Sequence, residues 1–377
     1  MRALICAEDS RNKALNHVPG SLVDVGRRLQ FDVFDPNGRL ILLRGRLIVS
    51  PEMASEIRNF GMFNLPNREQ QLVFLSVNIL ANRLALVFQD IKSGVESGNL
   101  SRRIIGLAKE LAVLSNANPD AAFASIHLNN YHGYLVVHSM MAAIVANRLA
   151  LASNLQPDAR ISLMSAALTH DLGLLPVESL INSREYLDDA ERQRVRHHVV
   201  DGIALLKRYG VSDSLWLDAV RDHHEFLDGS GYSGKTQSDL CVNARIMSLA
   251  DSYSAMLRPR PYRDRLLAQR ALEALYAEGT VRYDASLTEA LIWDFGFYPP
   301  GSLVRLCNKE MAVAIRNSPG ILDRPLVASL TDSQGHLLLK PVVRDSNDPK
   351  YAITEPLDPA LGARAGNLLA DCWKQCW

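Results

Sequence analysis

Residues 131–295 follow a helical pattern that leaves little room for another fold. Apolar residues recur at the i, i+3, i+4 spacing of a helix, and few runs alternate with period two. Pro157, Pro176, Gly210 and the loop at residues 228–234 separate the segments. The predicted helices are Leu135–Leu151, Asp158–Thr169, Asp188–His197, Gly202–Tyr209, Ser214–His223, Val242–Leu257 and Leu266–Ala277. The pattern therefore predicts an all-α bundle.

The sequence on either side of this bundle has a different pattern. Asp35-Pro-Asn-Gly38 is a strong turn signal between the runs Phe31–Asp35 and Arg39–Gly45, so we expect a hairpin there. Four short β-like runs follow Tyr298-Pro-Pro-Gly301, at residues 302–306, 311–315, 326–330 and 336–340. We expect a mainly α protein with a small β-rich N-terminal module at residues 1–65, a helical connector at 66–130, the helical domain at 131–300 and a small β-rich C-terminal appendage at 301–377.

Charge and composition exclude several classes of partner. The chain has 41 Lys and Arg residues against 41 Asp and Glu, so it carries no basic field for duplex DNA, duplex RNA or an anionic membrane. Its five cysteines are scattered, which fits a reducing compartment. Charged residues occur too early after Met1 for a signal peptide. We therefore expect a cytoplasmic protein.

The stretch Leu72–Phe88 is apolar but lacks the composition of a membrane span. Asn78, Asn82 and Arg83 interrupt it, and it is shorter than the roughly 20 apolar residues that a span needs. We interpret it as a buried or dimer-forming helix and expect no membrane contact. A homodimer or a signalling-protein partner is left open.

Histidine and aspartate residues accumulate at the helix ends and apolar faces of the predicted bundle. Eight of the ten histidines fall between residues 127 and 224. Taken alone, each has an ordinary explanation, because a buried His or a His-Asp pair is usually a hydrogen-bonded group of the core. The candidates are His138, the pair His170 and Asp171, the pair His197 and His198, the pair His223 and His224, and Asp251.

Together these residues predict a metal site. Buried imidazole and carboxylate groups must be paired or metal-bound, because unpaired burial is costly. A bundle can direct side chains from several helices to one place. With one member of the His197-His198 pair counted, five His and two Asp exceed the ligand count of one tetrahedral zinc and suit two metals. Imidazole with carboxylate favours iron, manganese or zinc, and the residues leave that choice open.

The order and spacing of these residues resemble the HD-GYP family, a branch of the HD metal-dependent phosphohydrolases. The resemblance covers roughly residues 131–310 and implies an HD-type helical bundle as the core of the fold. Its motifs are His138-Ser139, His170-Asp171-x-Gly173, His198-x-x-x-Gly202, His223-His224-Glu225-x-x-Asp228-Gly-x-Gly231-Tyr232, Ala250-Asp251-x-Tyr253 and Arg260-Pro-Tyr-Arg263.

The resemblance implies a metal-dependent phosphodiesterase that hydrolyses cyclic di-GMP to pGpG or GMP with a metal-activated water. Two divalent metal ions are expected, and iron or manganese is expected in preference to zinc. The implied ligands are His138, His170, Asp171, His198, His223, His224 and Asp251. Asp171 would bridge the metals and, with His170, form the catalytic pair. The implied substrate-binding residues are Gly231, Tyr232, Arg260 and Arg263.

Four positions depart from the family pattern. Leu174 stands where the family usually carries a Lys that helps to neutralise phosphate. Ser233 replaces the Pro of the name motif, which predicts a looser loop. Tyr134 stands where some members have a further acidic ligand, so two metals are expected rather than three. Ser254 replaces the acidic residue that usually follows the Tyr of the Ala-Asp motif.

These departures define the alternatives to an active phosphodiesterase. Leu174 and Ser233 are compatible with a degenerate protein that binds cyclic di-GMP or protein partners as a sensor or scaffold without turnover. Hydrolysis of another phosphate substrate is disfavoured, because the Gly231-Tyr232 loop marks this branch of the HD group.

Overall fold

The chain forms two compact units. The first comprises Met1–Leu72 and Lys374–Trp377, and the second comprises Val73–Trp373. The computed structural model describes residues 15–17, 25–26, 29, 33–34, 40–42, 47–60, 62–64, 73–94, 100–179, 188–259, 265–278, 281–318 and 320–373. The domain boundaries expected after residues 130 and 300 lie inside the second unit and stay predictions.

The N-terminal unit contains a small antiparallel sheet and one helix. Its elements are β1 (Leu15–His17), β2 (Val33–Phe34), β3 (Leu40–Leu42), α1 (Pro51–Phe60) and β4 (Met62–Asn64). The strand order is β1-β4-β2-β3. Strands β2 and β3 pair as the predicted hairpin requires, while its turn at residues 35–38 lies outside the described residues. Helix α1 begins with Pro51 in its first turn, and the Ser50 hydroxyl accepts a hydrogen bond from the Met53 amide at 3.2 Å.

The second unit is built around the predicted helical bundle. Its helices are α2 (Val73–Lys92), α3 (Leu100–Ala117), α4 (Pro119–His127), α5 (Tyr134–Ala152), α6 (Pro157–Thr169), α7 (Asp189–Arg208), α8 (Ser214–Asp222), α9 (Val242–Met256), α10 (Ala268–Glu278), α11 (Ala285–Phe295) and α12 (Asn367–Asp371). A 3-10 helix, Leu172–Val177, follows α6. Between residues 131 and 295 the described segments contain no strand, only an isolated bridge from Asp228 to Thr236. The all-α prediction is confirmed.

One predicted helix boundary is wrong. The segments expected at Asp188–His197 and Gly202–Tyr209 form the single helix α7, which a capping box between Asp188 and Glu191 begins. Gly202 lies inside this helix and packs against the 3-10 helix at van der Waals distance. A Cβ at this position would lie 3.5 Å from the backbone nitrogen of Gly173.

Helix α5 is the core of the bundle and packs against α6 and α9. Both α2 and α5 are long and apolar enough to cross a membrane by composition, but 83% of the apolar window in α5 is buried, against 33% in α2. Helix α2 buries one face, from Val73 to Phe88, against α3 and α4. Its opposite face exposes Leu75, Ile79 and Leu86. The predicted helix is thus present with one face buried, and its role in forming a dimer stays a prediction.

The predicted C-terminal β appendage is a five-stranded antiparallel sheet. Its strands are β5 (Leu303–Leu306), β6 (Met311–Ser318), β7 (Ile321–Thr331), β8 (Leu337–Asp345) and β9 (Ile353–Pro356), in the order β8-β7-β6-β5-β9. Val304, Leu306, Ala312 and Val327 form its buried apolar cluster. The sequence pattern predicts the first four strands and misses β9.

Candidate metal centre

Five elements of the bundle carry the predicted ligands to one place. His138 lies within α5, His198 within α7 and Asp251 within α9. His170 is the C-terminal cap residue of α6 and precedes Asp171, which caps the following 3-10 helix. His223 caps the C-terminus of α8 and precedes His224. The structure therefore brings together all seven residues predicted as ligands.

Three of these side chains form the first cluster, in which the potential ligand atoms of His138, His170 and Asp171 all lie within 4.8 Å of one another. The Nε2 atoms of His138 and His170 are 3.2 Å apart. They lie 3.6 and 3.5 Å from Asp171 Oδ2. All three residues are buried. The group has the size and the donor atoms that one divalent metal requires.

The second cluster consists of His198, His223 and His224, whose ligand atoms also lie within 4.8 Å of one another. The Nε2 atoms of His198 and His223 are 3.3 Å apart. The adjacent His197 takes no part in it, because its side chain is 61% exposed and lies near Asp201. The structure thus separates two neighbouring histidines into a buried and an exposed one.

Two carboxylates join the clusters. Asp171 directs Oδ2 at the first cluster and places Oδ1 3.4 Å from His198 Nε2 of the second. Asp251 Oδ1 lies 2.8 Å from His138 Nε2 and 3.4 Å from His170 Nε2, while its Oδ2 lies 3.8 Å from His224 Nδ1. Each carboxylate therefore spans the two groups of imidazoles, an arrangement suited to a pair of metals.

Backbone contacts fix the orientation of three imidazoles. The Nδ1 atoms of His170, His198 and His223 each lie 2.6–2.8 Å from the carbonyl oxygen three residues earlier in the chain. A carbonyl can only accept, so each Nδ1 carries the proton and donates it. In the neutral form of each ring, the Nε2 lone pair is then the atom available to bind a metal. The donor set thus fits divalent metal ions.

Burial and charge set opposite protonation states within the centre. Burial lowers the pKa values of His138 and His223 and brings that of His224 to about 4. Burial would also lower the pKa of His170, but Asp171 and Asp251 outweigh it and raise this pKa to about 9. The neighbouring imidazoles likewise overcome the effect of burial on Asp171 and lower its pKa. Without metal, His170 is therefore an imidazolium beside the ionised carboxylate of Asp171.

Metal binding should therefore release a proton from His170. Because its raised pKa keeps the ring protonated below about pH 9, a metal must displace that proton to reach Nε2. We expect apparent Mn²⁺ affinity to rise up to about tenfold per pH unit from pH 6 to 8. Calorimetry in two buffers of different ionisation enthalpy measures the proton count, with about one released proton expected. A pH-independent affinity without proton release would contradict this protonation state.

A glycine contact couples the two clusters. A Cβ at Gly173 would lie 2.0 Å from the carbonyl oxygen of His198 and 2.8 Å from its Cα. Only a residue without a side chain lets α7 approach the 3-10 helix this closely. Gly173 is two residues from Asp171, so this contact sets the distance between ligands of different clusters.

The Gly-Tyr loop lies against the second cluster. The ring centroid of Tyr232 is 4.7 Å from that of His224. A Cβ at Gly231 would lie 2.6 Å from the His224 carbonyl oxygen, so the loop passes directly over this backbone. The structure thus brings two of the predicted substrate-binding residues to the metal centre. The other two, Arg260 and Arg263, lie outside the described residues.

Ser233 ties the loop down where the sequence predicts a looser one. Its backbone amide and its hydroxyl donate to Oε1 of Glu225, at 2.8 and 2.7 Å. The Lys235 amide donates to Oε2 of the same buried carboxylate at 3.2 Å. A proline could make neither of the two bonds from position 233. Ser233 therefore fixes the loop to Glu225 through hydrogen bonds that a proline could not make.

The remaining departures have plain structural consequences. Leu174 is only 4% exposed, so the position at which the family usually carries a Lys is apolar core in this chain. Tyr134 stacks on His138 at 5.2 Å between ring centroids and fills the place of an acidic residue. Ser254 is buried in α9.

Two neighbours of the site had no role in the sequence prediction. Glu225 belongs to a predicted motif, but nothing in its spacing indicates that it anchors the loop. Arg196 lies on α7 with its guanidinium carbon 5.7 Å from the centroid of the Tyr232 ring. It stands among other arginines of a charged helix, so no pattern distinguishes it before the fold is known.

Comparison with known proteins gives the family. The model of the HD domain family matches residues 99–287. The cyclic di-GMP phosphodiesterase PA4108 of Pseudomonas aeruginosa is 29% identical over 247 residues, which are 64% of this chain and 58% of that protein. The response regulator RpfG of Xanthomonas campestris, also a cyclic di-GMP phosphodiesterase, is 32% identical over 161 residues, 41% of this chain and 40% of its own length.

A third relative has another substrate in its name. The 3'3'-cGAMP-specific phosphodiesterase 3 of Vibrio cholerae is 30% identical over 187 residues, 48% of this chain and 40% of that protein. The chain spans about half the length of the curated relatives it matches. With a domain match over half of its residues and with the His-Asp and Gly-Tyr motifs at one site, the chain belongs to the HD domain family, in its HD-GYP branch.

Proposed function

We propose that this chain is a metal-dependent phosphodiesterase that hydrolyses cyclic di-GMP to pGpG or GMP. The observation that carries the proposal is the pair of ligand clusters, buried except for the partly exposed His224, that Asp171 and Asp251 join. Relatives named as cyclic di-GMP phosphodiesterases support the substrate class. In this proposal the protein acts in the cytoplasm, in keeping with its scattered cysteines.

The centre would hold two divalent metals, iron or manganese in preference to zinc. His138 and His170 would bind one, His198, His223 and His224 the other, and Asp171 and Asp251 would contact both. Such ions lower the pKa of bound water and stabilise negative charge on phosphoryl oxygens.

The chain's own residues prepare this chemistry in three ways. The backbone carbonyls behind His170, His198 and His223 hold their Nε2 atoms toward the centre. The lowered pKa keeps Asp171 ionised, so that each of its oxygens faces one cluster as an acceptor. The half-exposed ring of Tyr232 packs against His224 and so limits the positions that this ligand can take.

Turnover by metal-loaded protein tests the proposal. The protein is loaded with Mn²⁺ or Fe²⁺ under anaerobic conditions, and the products formed from cyclic di-GMP are separated by chromatography. We expect pGpG or GMP. Binding of cyclic di-GMP without product would contradict the enzyme and favour the sensor or scaffold alternative.

Two adjacent histidines provide a matched pair of variants for the same assay. His198→Ala removes a buried member of the second cluster and should lower bound metal by about one ion per chain and abolish turnover. His197→Ala removes an exposed ring outside the clusters and should leave both unchanged. Equal metal content in the two variants, measured by elemental analysis, would refute the ligand assignment.

A further inference from the structure

An arginine lies beside the Gly-Tyr loop at the edge of the metal centre. Arg196 projects from α7, and its guanidinium carbon lies over the Tyr232 ring, 5.7 Å from the centroid. The same ring is 4.7 Å from His224, a member of the second cluster. A short chain of contacts, from metal ligand to tyrosine to arginine, thus leads outward from the centre.

The charge of Arg196 is available for a ligand. Among the described residues no carboxylate lies within ion-pair distance of it, and its side chain is exposed. Two other cations of this region have carboxylate partners, since Lys235 pairs with Asp222 at 2.5 Å and Arg221 pairs with Asp218 at 2.6 Å. Leu174 adds no cation of its own at the position where the family usually has one.

The chemistry of a cyclic dinucleotide calls for a cation away from the metals. Such a molecule has two phosphodiester groups, and only one of them is cleaved at the centre in a single step. A guanidinium lying over an aromatic ring is attracted to its face and keeps N–H groups at its edge. These donors match the paired oxygens of a phosphate.

We propose that Arg196, held over Tyr232, binds the phosphodiester of the cyclic dinucleotide that is not being cleaved. The inference rests on the proposed function and deepens it, because it names a specificity determinant. Arg196 distinguishes substrates with a second phosphate from those with one. Arg196 contributes to substrate binding and takes no part in binding the metals.

Two substrates separate binding of the second phosphate from chemistry. Arg196→Gln should raise KM for cyclic di-GMP about tenfold, the size expected for a lost charge-assisted hydrogen bond, with kcat within about twofold. Hydrolysis of bis(p-nitrophenyl) phosphate, which has a single phosphodiester, should not change. Arg194→Gln is the matched control, since Arg194 is an exposed arginine two residues earlier on α7. Arg196→Lys should keep part of the affinity, because it retains the charge without the planar fork.

The outcomes distinguish this inference from the proposed function. An unchanged KM for cyclic di-GMP in Arg196→Gln, or equal losses with both diesters, would overturn the role of Arg196 and leave the phosphodiesterase intact. If the wild-type protein cleaves neither diester, the proposed function fails, and calorimetry of cyclic di-GMP binding to metal-loaded protein decides the inference. A tenfold weaker Kd in Arg196→Gln then supports it, and equal binding or no binding overturns it.

Discussion

Asp171→Asn should abolish turnover while leaving the fold in place. The substitution preserves the shape of the side chain but removes the negative charge that faces both clusters. We expect bound metal to fall below one ion per chain and kcat with cyclic di-GMP to fall by about a thousandfold or more, which is about 4 kcal/mol of transition-state stabilisation. Elemental analysis measures the metal, and far-ultraviolet circular dichroism checks that helix content is unchanged.

A second aspartate provides the control for this variant. Asp201 lies on α7 near the exposed His197 and faces neither cluster. Asp201→Asn should retain full metal content and activity. If Asp171→Asn kept wild-type metal stoichiometry, Asp171 would not be a ligand of either metal, and the proposed bridging role would be wrong.

Gly173→Ala should damage the metal centre through packing alone. The added Cβ would lie 2.0 Å from the His198 carbonyl oxygen, and no side-chain rotation relieves a clash with backbone. Helix α7 must then move away from the 3-10 helix, which separates His198 from Asp171. We expect the free energy of unfolding to fall by about 3 kcal/mol, at the upper end for overpacked sites, and metal affinity to fall with it.

Gly202 is the matched control for Gly173, because it lies across the same contact. A Cβ there would have its nearest neighbour at 3.5 Å, an ordinary van der Waals distance. Gly202→Ala in the interior of α7 should change stability by less than about 1 kcal/mol, with helix propensity favouring alanine. Urea unfolding and metal analysis of both variants make the comparison. Similar stabilities would refute the packing argument at Gly173.

The sequence predicts the helices well because helical periodicity is a local property. An apolar residue at i, i+3 and i+4 marks the buried face whatever the helix packs against, so α5, α6, α8 and α9 are recovered nearly to their ends. The same local reasoning fails at Gly202. A glycine within a helical pattern suggests a helix end, whereas Gly202 lies inside α7 and packs against Gly173 of another segment.

The loop after His224 shows the same limit. Replacement of a proline by Ser233 predicts a looser loop when only backbone stiffness is considered. The structure places Ser233 beside Glu225, eight residues earlier. The amide and the hydroxyl of Ser233 both donate hydrogen bonds to Oε1 of this buried carboxylate. Arg196 and Tyr232 likewise meet only through the fold. Contacts of this kind depend on where two segments pack against each other. The spacing of residues within one segment does not predict them.

The sequence by itself determined the mainly α bundle from its periodicity, and its motifs identified the candidate ligands through their resemblance to the HD-GYP family. Only the tertiary structure decided that these ligands form two clusters, that Asp171 and Asp251 each face both, and that Leu174 is buried. It also placed Arg196 over Tyr232. The physical reason is that residue type and periodicity are properties of one segment, whereas distances between ligands are set by the close packing of several.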